Sequence, residues 1–287
     1  MRTVELTKGI KSSALGFGCA SILGAVDAAT GQRGIECALD LGITHFDLAR
    51  SYGYGDAEQF VGKLLKGKRQ NVVIATKFGI VANWKSQLLK PVKPLVRMLK
   101  GNKKPVEPKE EVVNENPNNS QALLNRFFDR ISPITGKDMQ ANIEKSLRAL
   151  KTDYIDYYFI HEPHESLIYI DELLATADKL KQDGKIRALG LAYNQSQLHF
   201  HQAYIDKFDI LQFNNSPGIA EYENIRLQRA DKHNIFFSAM SGGVKKMTAA
   251  EKFTKLYQDF PDSVILSSTF NEKHLKENVA CANKLSL

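Results

Sequence analysis

Eight short apolar segments alternate with eight amphipathic segments along the 287 residues, and this alternation predicts an α/β fold, a (β/α)8 TIM barrel. The apolar segments are rich in Val, Ile, Leu and Phe, as expected for parallel strands that are buried on both faces. The alternative is an open doubly wound sheet, which normally carries a glycine-rich dinucleotide fingerprint after its first strand. Leu15-Gly16-Phe17-Gly18 does not extend to that fingerprint, so the barrel is favoured.

The predicted elements follow a short hairpin at residues 1–13. The predicted strands lie at 14–19, 43–48, 72–77, 155–160, 186–191, 209–213, 235–239 and 263–267. The predicted helices lie at 30–41, 56–65, 138–149, 167–182, 195–204, 222–233, 249–258 and 271–284. The most regular helical pattern runs from Met139 to Leu150, with Asp138 as its candidate N-cap. We therefore expect residues 1–287 to form one barrel domain.

Residues 80–137 interrupt the alternation and predict a long, partly helical insertion after the third strand. Residues 84–104 are basic, and Val92 to Leu99 has helical spacing. Residues 105–120 are polar and acidic, which predicts a flexible stretch, and a helical pattern returns over 121–131. Three roles remain open for the insertion: a surface excursion, a lid over the barrel mouth that shapes the substrate pocket, or a basic docking site.

Composition limits the class of protein and its partners. The formal net charge of +7 comes mostly from scattered basic residues, so a phosphate-bearing small ligand is favoured over nucleic acid. The three cysteines, Cys19, Cys37 and Cys281, form no CxxC pair, which predicts reduced thiols in a cytoplasmic protein without a metal site. No apolar run approaches the ~20 residues that span a membrane. We expect no membrane partner, and a monomer or weak homo-oligomer.

Polar residues at the ends of the predicted strands indicate a catalytic site. Asp47, Lys77 and His161 each end an apolar run, and Tyr52 lies in the loop after Asp47. Strand ends of a barrel converge on one face, where Asp47 and Lys77 can neutralise each other. Lys77 near Tyr52 would lower a phenol pKa that starts near ~10, and His161 could hydrogen-bond a substrate oxygen. Together they could deliver a proton to a carbonyl oxygen, although Asp47 and Lys77 alone could be a structural ion pair.

The order of these residues, with their flanking motifs, resembles the aldo-keto reductase family. The matching motifs are residues 42–47 through Tyr52-Gly53, Glu58 through Gly62, Thr76-Lys77, 146–150, 153–161 and 184–190. The resemblance runs from about Leu15 to Asn278 apart from the insertion. It implies that Tyr52 is the general acid, that Lys77 lowers its pKa, that Asp47 pairs with Lys77, and that His161 orients the carbonyl.

The resemblance also implies a nicotinamide cofactor, which would supply the hydride. The implied cofactor-binding residues are Asn194, Gln212, Phe237, Ser238, Ser268, Thr269, Glu277 and Asn278. Two departures stand out: Ala192-Tyr193 replaces the usual Ser-Asn, and Ser268 and His274 replace a Lys and an Arg that clamp a 2′-phosphate. Since serine and histidine lack the planar fork of arginine, NADP(H) is favoured by the family while NAD(H) remains possible.

The sequence therefore predicts an NAD(P)H-dependent oxidoreductase that acts on an aldehyde, ketone or sugar carbonyl. Oxidation of a sugar or an alcohol is equally compatible with these residues. The alternative is a non-enzymatic module on the same barrel that binds nucleotide as a redox sensor or docks a partner. Substrate identity is left open, because the loops that shape the pocket depart most from the family.

Overall fold

The computed structural model describes residues 1–89, 126–244 and 246–284. It begins with the antiparallel hairpin β1 (Thr3–Thr7) and β2 (Ile10–Ser13), as predicted. The hairpin lies against the amino-terminal ends of the barrel strands, where the Thr7 hydroxyl contacts the Tyr157 hydroxyl at 3.4 Å and Arg187 donates to the carbonyl of Gly9 at 2.7 Å. The opposite end of the barrel is left open for the site.

Eight parallel strands close into a barrel, which confirms the predicted fold class. In the order of their pairing they are β3 (Leu15–Gly18), β4 (His45–Asp47), β5 (Val73–Phe78), β8 (Ile155–His161), β9 (Ile186–Tyr193), β10 (Ile210–Asn214), β11 (Asn234–Phe237) and β12 (Val264–Ser267). β12 pairs with β3 and completes the ring. Their side chains are almost entirely buried on both faces, which is why these strands are predominantly apolar in sequence.

Helices follow most of the barrel strands and pack outside them. They are α1 (Ala28–Asp40), α2 (Ala57–Leu64), α4 (Gly136–Leu150), α5 (Ile170–Gln182), α6 (Tyr222–Arg229), α7 (Ala249–Asp259) and α8 (Glu272–Asn283), whereas α3 (Trp84–Leu89) lies in the insertion. α2 and α4 approach so closely that a Cβ at Gly62 would lie 2.5 Å from the carbonyl oxygen of Leu150. Among the described residues, no helix is long and apolar enough to cross a membrane.

The start of α4 differs from the prediction. Thr135, not Asp138, is the N-cap, because its hydroxyl accepts the backbone N–H of Asp138. Asp138 occupies the third helical position, and its carboxylate accepts the backbone N–H of Thr135 at 3.0 Å. This reciprocal capping box satisfies two backbone donors that the helix itself cannot.

The predicted helix at 195–204 is also wrong. This stretch forms two 3₁₀ turns, Gln195–Phe200 and Ile205–Lys207. The buried His201 ring contacts the Tyr204 hydroxyl at 2.7 Å and the Pro163 carbonyl at 3.2 Å. These contacts hold the chain in tight turns with bonds between residues three apart, so an α-helical ladder does not form.

The two ends of the insertion pair with each other as a two-stranded antiparallel ribbon. β6 (Ile80–Ala82) pairs with β7 (Phe128–Arg130), and Ile80 lies opposite Arg130. The helical pattern over 121–131 is therefore wrong for its described part, since pairing with β6 replaces the local helical preference. The predicted helix at 92–99, the flexible stretch at 105–120 and residues 121–125 lie outside the described residues.

Candidate active site

A cavity of about 160 Å³ opens at the carboxyl ends of the barrel strands. It brings together the four residues predicted to be catalytic. The cavity is lined by Gly18, Ala20, Asp47, Tyr52, Lys77, His161, Glu162, Ala192, Gln212, Phe237, Ser238, Leu266 and Ser268. Within the described residues, no cluster of three or more His, Cys, Asp or Glu side chains could hold a metal ion.

The ammonium of Lys77 contacts three groups, which lie at the end of β4 and in the loop that follows it. It donates to Asp47 Oδ2 at 2.6 Å, to the carbonyl of Leu48 at 2.8 Å and to the Tyr52 hydroxyl at 3.2 Å. Lys77 and Asp47 are both buried, so each charge depends on the other for compensation. The second oxygen of Asp47 accepts a bond from Gln212 Nε2 at 2.8 Å, which holds the carboxylate from a strand across the barrel.

The loop that carries Tyr52 is held by its own backbone and by a buried acid. Arg50 donates its backbone N–H to the carbonyl of Lys77 at 2.9 Å. Glu58 is buried, pairs with the Arg50 guanidinium and accepts the Thr76 hydroxyl at 2.7 Å. Gly53 then turns the chain at a φ of 60°, where a Cβ would lie 2.8 Å from the carbonyl of Ile22. The loop thereby holds the Tyr52 hydroxyl beside Lys77.

Burial and the neighbouring groups together set the protonation of Tyr52 and Lys77. Burial raises the pKa of Tyr52 to about 12, although the nearby Lys77 charge lowers it. The effect of Lys77 thus has the predicted direction, but the loss of water contact outweighs it. Burial also disfavours the Lys77 charge, yet the Asp47 carboxylate and the Tyr52 hydroxyl raise the pKa of Lys77 above its ordinary value. At neutral pH the pair is a phenol beside an ammonium.

His161 completes the group as a neutral ring. Its ring is edge-on to that of Tyr52, with centroids 6.0 Å apart. Burial, then the charges of Lys77 and Arg130, lower the pKa of His161 well below its ordinary value. Its Nδ1 is buried and has no hydrogen-bond partner among the described residues. A neutral imidazole still carries one N–H, so it can donate to an oxygen in the cavity.

The residues predicted to bind a cofactor are distributed more widely. Gln212, Phe237, Ser238 and Ser268 line the cavity. Asn194 does not line it: its backbone N–H donates to Gln197 Oε1 at 2.9 Å and begins the following turn. The remaining three follow β12, outside the cavity lining: Thr269 accepts the Asn271 backbone N–H at 3.3 Å, Glu277 is exposed on α8, and Asn278 donates to the Ser267 hydroxyl at 3.0 Å.

Gly18 and Glu162 line the cavity and were not predicted, and Arg130 contacts Glu162 from outside the lining. Gly18 ends β3, and a Cβ there would lie 2.3 Å from the Ser268 hydroxyl. Glu162 lines the cavity directly after His161, and its place at a strand end was an available signal. Arg130 returns from the insertion and donates to the backbone carbonyl of Glu162 at 2.7 Å. Sequence contained no signal for Arg130, because its position depends on the β6–β7 pairing.

The sequence profile of the aldo/keto reductase family matches residues 14–243, which is more than half of the chain and includes all four catalytic candidates. The chain belongs to the aldo/keto reductase family. This finding confirms the resemblance stated from the sequence motifs. It also agrees with the barrel and with the position of the cavity at the carboxyl ends of its strands.

Two curated members of the aldo/keto reductase family illustrate the extent of the likeness. Aldo-keto reductase YhdN of Bacillus subtilis is 29% identical over 254 residues, 86% of this chain and 58% of that protein. Aldo-keto reductase yakc [NADP(+)] of Schizosaccharomyces pombe is 25% identical over 228 residues, 77% of this chain and 55% of that protein. The chain thus spans little more than half the length of these relatives.

Solved structures of aldo-keto reductases share the fold. An aldo-keto reductase of Bacillus halodurans superposes with a TM-score of 0.68 at 21% identity, and the match covers 98% of this chain and 90% of that one. At this identity the likeness concerns the architecture alone.

Proposed function

We propose that the protein is an NAD(P)H-dependent reductase of aldehyde, ketone or sugar carbonyls, and that it can also catalyse the reverse oxidation. The observation that carries this proposal is the Lys77 ammonium, which contacts both Asp47 and the Tyr52 hydroxyl in the cavity beside His161. A phenol that touches a buried cation can release its proton to a developing alkoxide, because the cation stabilises the phenolate that remains. Family membership supports the same reaction.

Each residue of this group has a distinct role in the proposal. Tyr52 donates the proton to the substrate oxygen, and Lys77 stabilises the resulting phenolate. Asp47 keeps Lys77 charged and fixed in place, with Gln212 holding the far oxygen of the carboxylate. His161 donates a hydrogen bond to the same substrate oxygen and orients it toward Tyr52.

The cavity has features that fit a nicotinamide nucleotide. Gln212 Oε1 is buried without a partner among the described residues, and a carboxamide N–H would satisfy it. Phe237 offers an aromatic face, while Ser238 and Ser268 add hydroxyls at the cavity wall. When bound, the reduced nicotinamide supplies the hydride. NADP(H) is favoured by family membership and by the name of the yeast relative, and NAD(H) remains open because Ser268 and His274 replace a phosphate-binding Lys and Arg.

We also propose that residues 1–287 form one barrel domain, with 80–137 as an insertion within it. A cytoplasmic location agrees with the free thiols of Cys19, Cys37 and Cys281. We further propose a monomer or weak homo-oligomer.

The direct test is turnover. The absorbance of reduced nicotinamide is followed with NADPH or NADH against a panel of aldehydes, ketones and sugars. We expect oxidation of the cofactor that depends on the carbonyl compound, and the two cofactors will differ in kcat/KM. Tight cofactor binding without turnover of any substrate would favour the sensor function instead.

The two reaction directions should respond differently to pH. Reduction needs the phenol of Tyr52, whose pKa of about 12 keeps it protonated, so the rate of proton donation is expected to stay flat from about pH 6 to about pH 9. Oxidation needs the phenolate, so its kcat/KM should rise about tenfold per pH unit over the same range. Measuring kcat/KM in both directions at saturating cofactor tests this. A loss of reduction centred near pH 8 would contradict it.

A further inference from the structure

We propose that Glu162, positioned by Arg130 from the insertion, selects neutral carbonyl substrates with a hydroxyl on the carbon next to the carbonyl, and disfavours substrates with a carboxylate there. This inference rests on the proposed function and concerns the substrate class of the same site. Through Arg130 of β7, the insertion thereby contributes to specificity.

Glu162 holds a carboxylate at the wall of the cavity. It is the residue directly after His161, it lines the cavity, and about a quarter of its side chain is exposed. The other acid in the lining, Asp47, is buried and already bonded to Lys77 and Gln212. The carboxylate that remains for a substrate is therefore that of Glu162.

The backbone of Glu162 is held in a conformation that non-glycine residues rarely adopt. Its φ is +43°, in the left-handed region. Two bonds hold it there: its N–H donates to the carbonyl of Ala192 at 2.7 Å, and its carbonyl accepts from Arg130 Nη1 at 2.7 Å. Residues held in sparsely populated backbone regions occur often at ligand-binding sites.

Arg130 is delivered to this position by the ribbon next to the catalytic strand. β6 follows β5, which carries Lys77, after the single residue Gly79, and Arg130 pairs with Ile80 in that ribbon. Ile131 donates its N–H to the carbonyl of Gly79 at 2.8 Å. Ser132, two residues beyond Arg130, bonds the side chain of Glu165 in the loop that follows Glu162. The ribbon is thus attached both to β5 and to the loop after His161.

The Glu162 carboxylate is ion-paired with Arg130 and retains the capacity to accept further hydrogen bonds. One guanidinium nitrogen is committed to the backbone carbonyl of Glu162, while the nearest nitrogen–carboxylate distance is 3.7 Å, longer than a hydrogen bond. Glu162 is among the residues that line the cavity, and Arg130 is not. A carboxylate accepts hydrogen bonds from hydroxyl groups and repels another carboxylate.

Two-carbon aldehydes test this selection next to the reacting carbon. Acetaldehyde, glycolaldehyde and glyoxylate carry a methyl, a hydroxymethyl and a carboxylate group beside the same carbonyl. We expect kcat/KM to fall in the order glycolaldehyde, acetaldehyde, glyoxylate. In Glu162→Gln, the ratio of glycolaldehyde to acetaldehyde should fall about tenfold, a typical contribution of a hydrogen bond to a charged group. The ratio of glyoxylate to acetaldehyde should rise.

Two further variants separate a specific role from a general one. Asp178→Asn removes an exposed carboxylate on α5, outside the cavity lining and outside the contacts of the ribbon, so both ratios should keep their wild-type values. Glu162→Asp retains the charge, so its ratio of glyoxylate to acetaldehyde should be as low as that of the wild type. If the ratios in Glu162→Gln equal those of the wild type while all three aldehydes turn over, the inference is overturned and the proposed function stands. If no aldehyde is reduced by the wild type, the proposed function fails and this inference with it.

Discussion

Replacement of Tyr52 by phenylalanine is expected to lower kcat for carbonyl reduction by about 10²–10⁴-fold, the usual contribution of a positioned general acid. The change removes the hydroxyl that lies 3.2 Å from Lys77 Nζ, and it leaves the ring that packs edge-on to His161. Cofactor affinity should change by no more than about twofold, because the lost group serves the transition state rather than ground-state binding. Single-turnover rates and a fluorescence titration of the cofactor measure the two quantities separately.

Tyr54→Phe is the matched control for this experiment. Tyr54 lies in the same turn, but it is outside the cavity lining and stacks on Phe128 with ring centroids 5.5 Å apart. Its loss of a hydroxyl should leave kcat within about twofold of the wild type, since stacking depends on the ring rather than the hydroxyl. Near-wild-type reduction by Tyr52→Phe would mean that another group donates the proton.

Replacement of Lys77 by methionine is expected to abolish measurable reduction and also to destabilise the fold. The variant leaves Asp47 buried, with Gln212 as its remaining side-chain partner in the described structure. Removing one member of a buried ion pair typically costs about 3–5 kcal/mol, a large share of the roughly 5–15 kcal/mol that stabilises a domain. Equilibrium denaturation with urea measures the free energy of unfolding, and the absorbance assay measures activity.

A double variant, Lys77→Met with Asp47→Asn, separates the two effects. It removes the uncompensated charge and keeps a side-chain oxygen for Gln212 Nε2, so much of the lost stability should return. Activity should not return, because no cation remains to stabilise the Tyr52 phenolate. A Lys77→Met variant as stable as the wild type, or an active double variant, would argue against the role given to this pair.

The barrel was predictable from sequence because its strands are buried on both faces. Residues 72–75 and 157–160, for example, are continuously apolar, and the structure places strands at Val73–Phe78 and Ile155–His161. The predicted secondary structure was wrong where contacts between residues distant in sequence outweigh the local helical preference. His201 holds its segment in 3₁₀ turns through Pro163, and β6 draws Phe128–Arg130 into a strand despite a helical pattern.

The catalytic candidates were predictable for a topological reason. Where an apolar run forms a barrel strand, the polar residue after it lies at the carboxyl end of that strand, and these ends converge on one face of the barrel. Asp47, Lys77 and His161 were selected by this rule, and all three line the cavity. Asn194 was implied by the family resemblance rather than by this rule, and it begins a turn and does not line the cavity.

The sequence by itself determined the barrel, the family and the residue types at the strand ends, because apolar periodicity and motif order are local properties of the chain. Only the tertiary structure decided which groups touch. It joined Gln212 to Asp47, brought Arg130 to the backbone of Glu162, and raised the Tyr52 pKa to about 12 where the sequence predicted a lowered one. Burial and pairing across the barrel depend on neighbours far apart in sequence, and desolvation outweighs a single nearby charge when the group is removed from water.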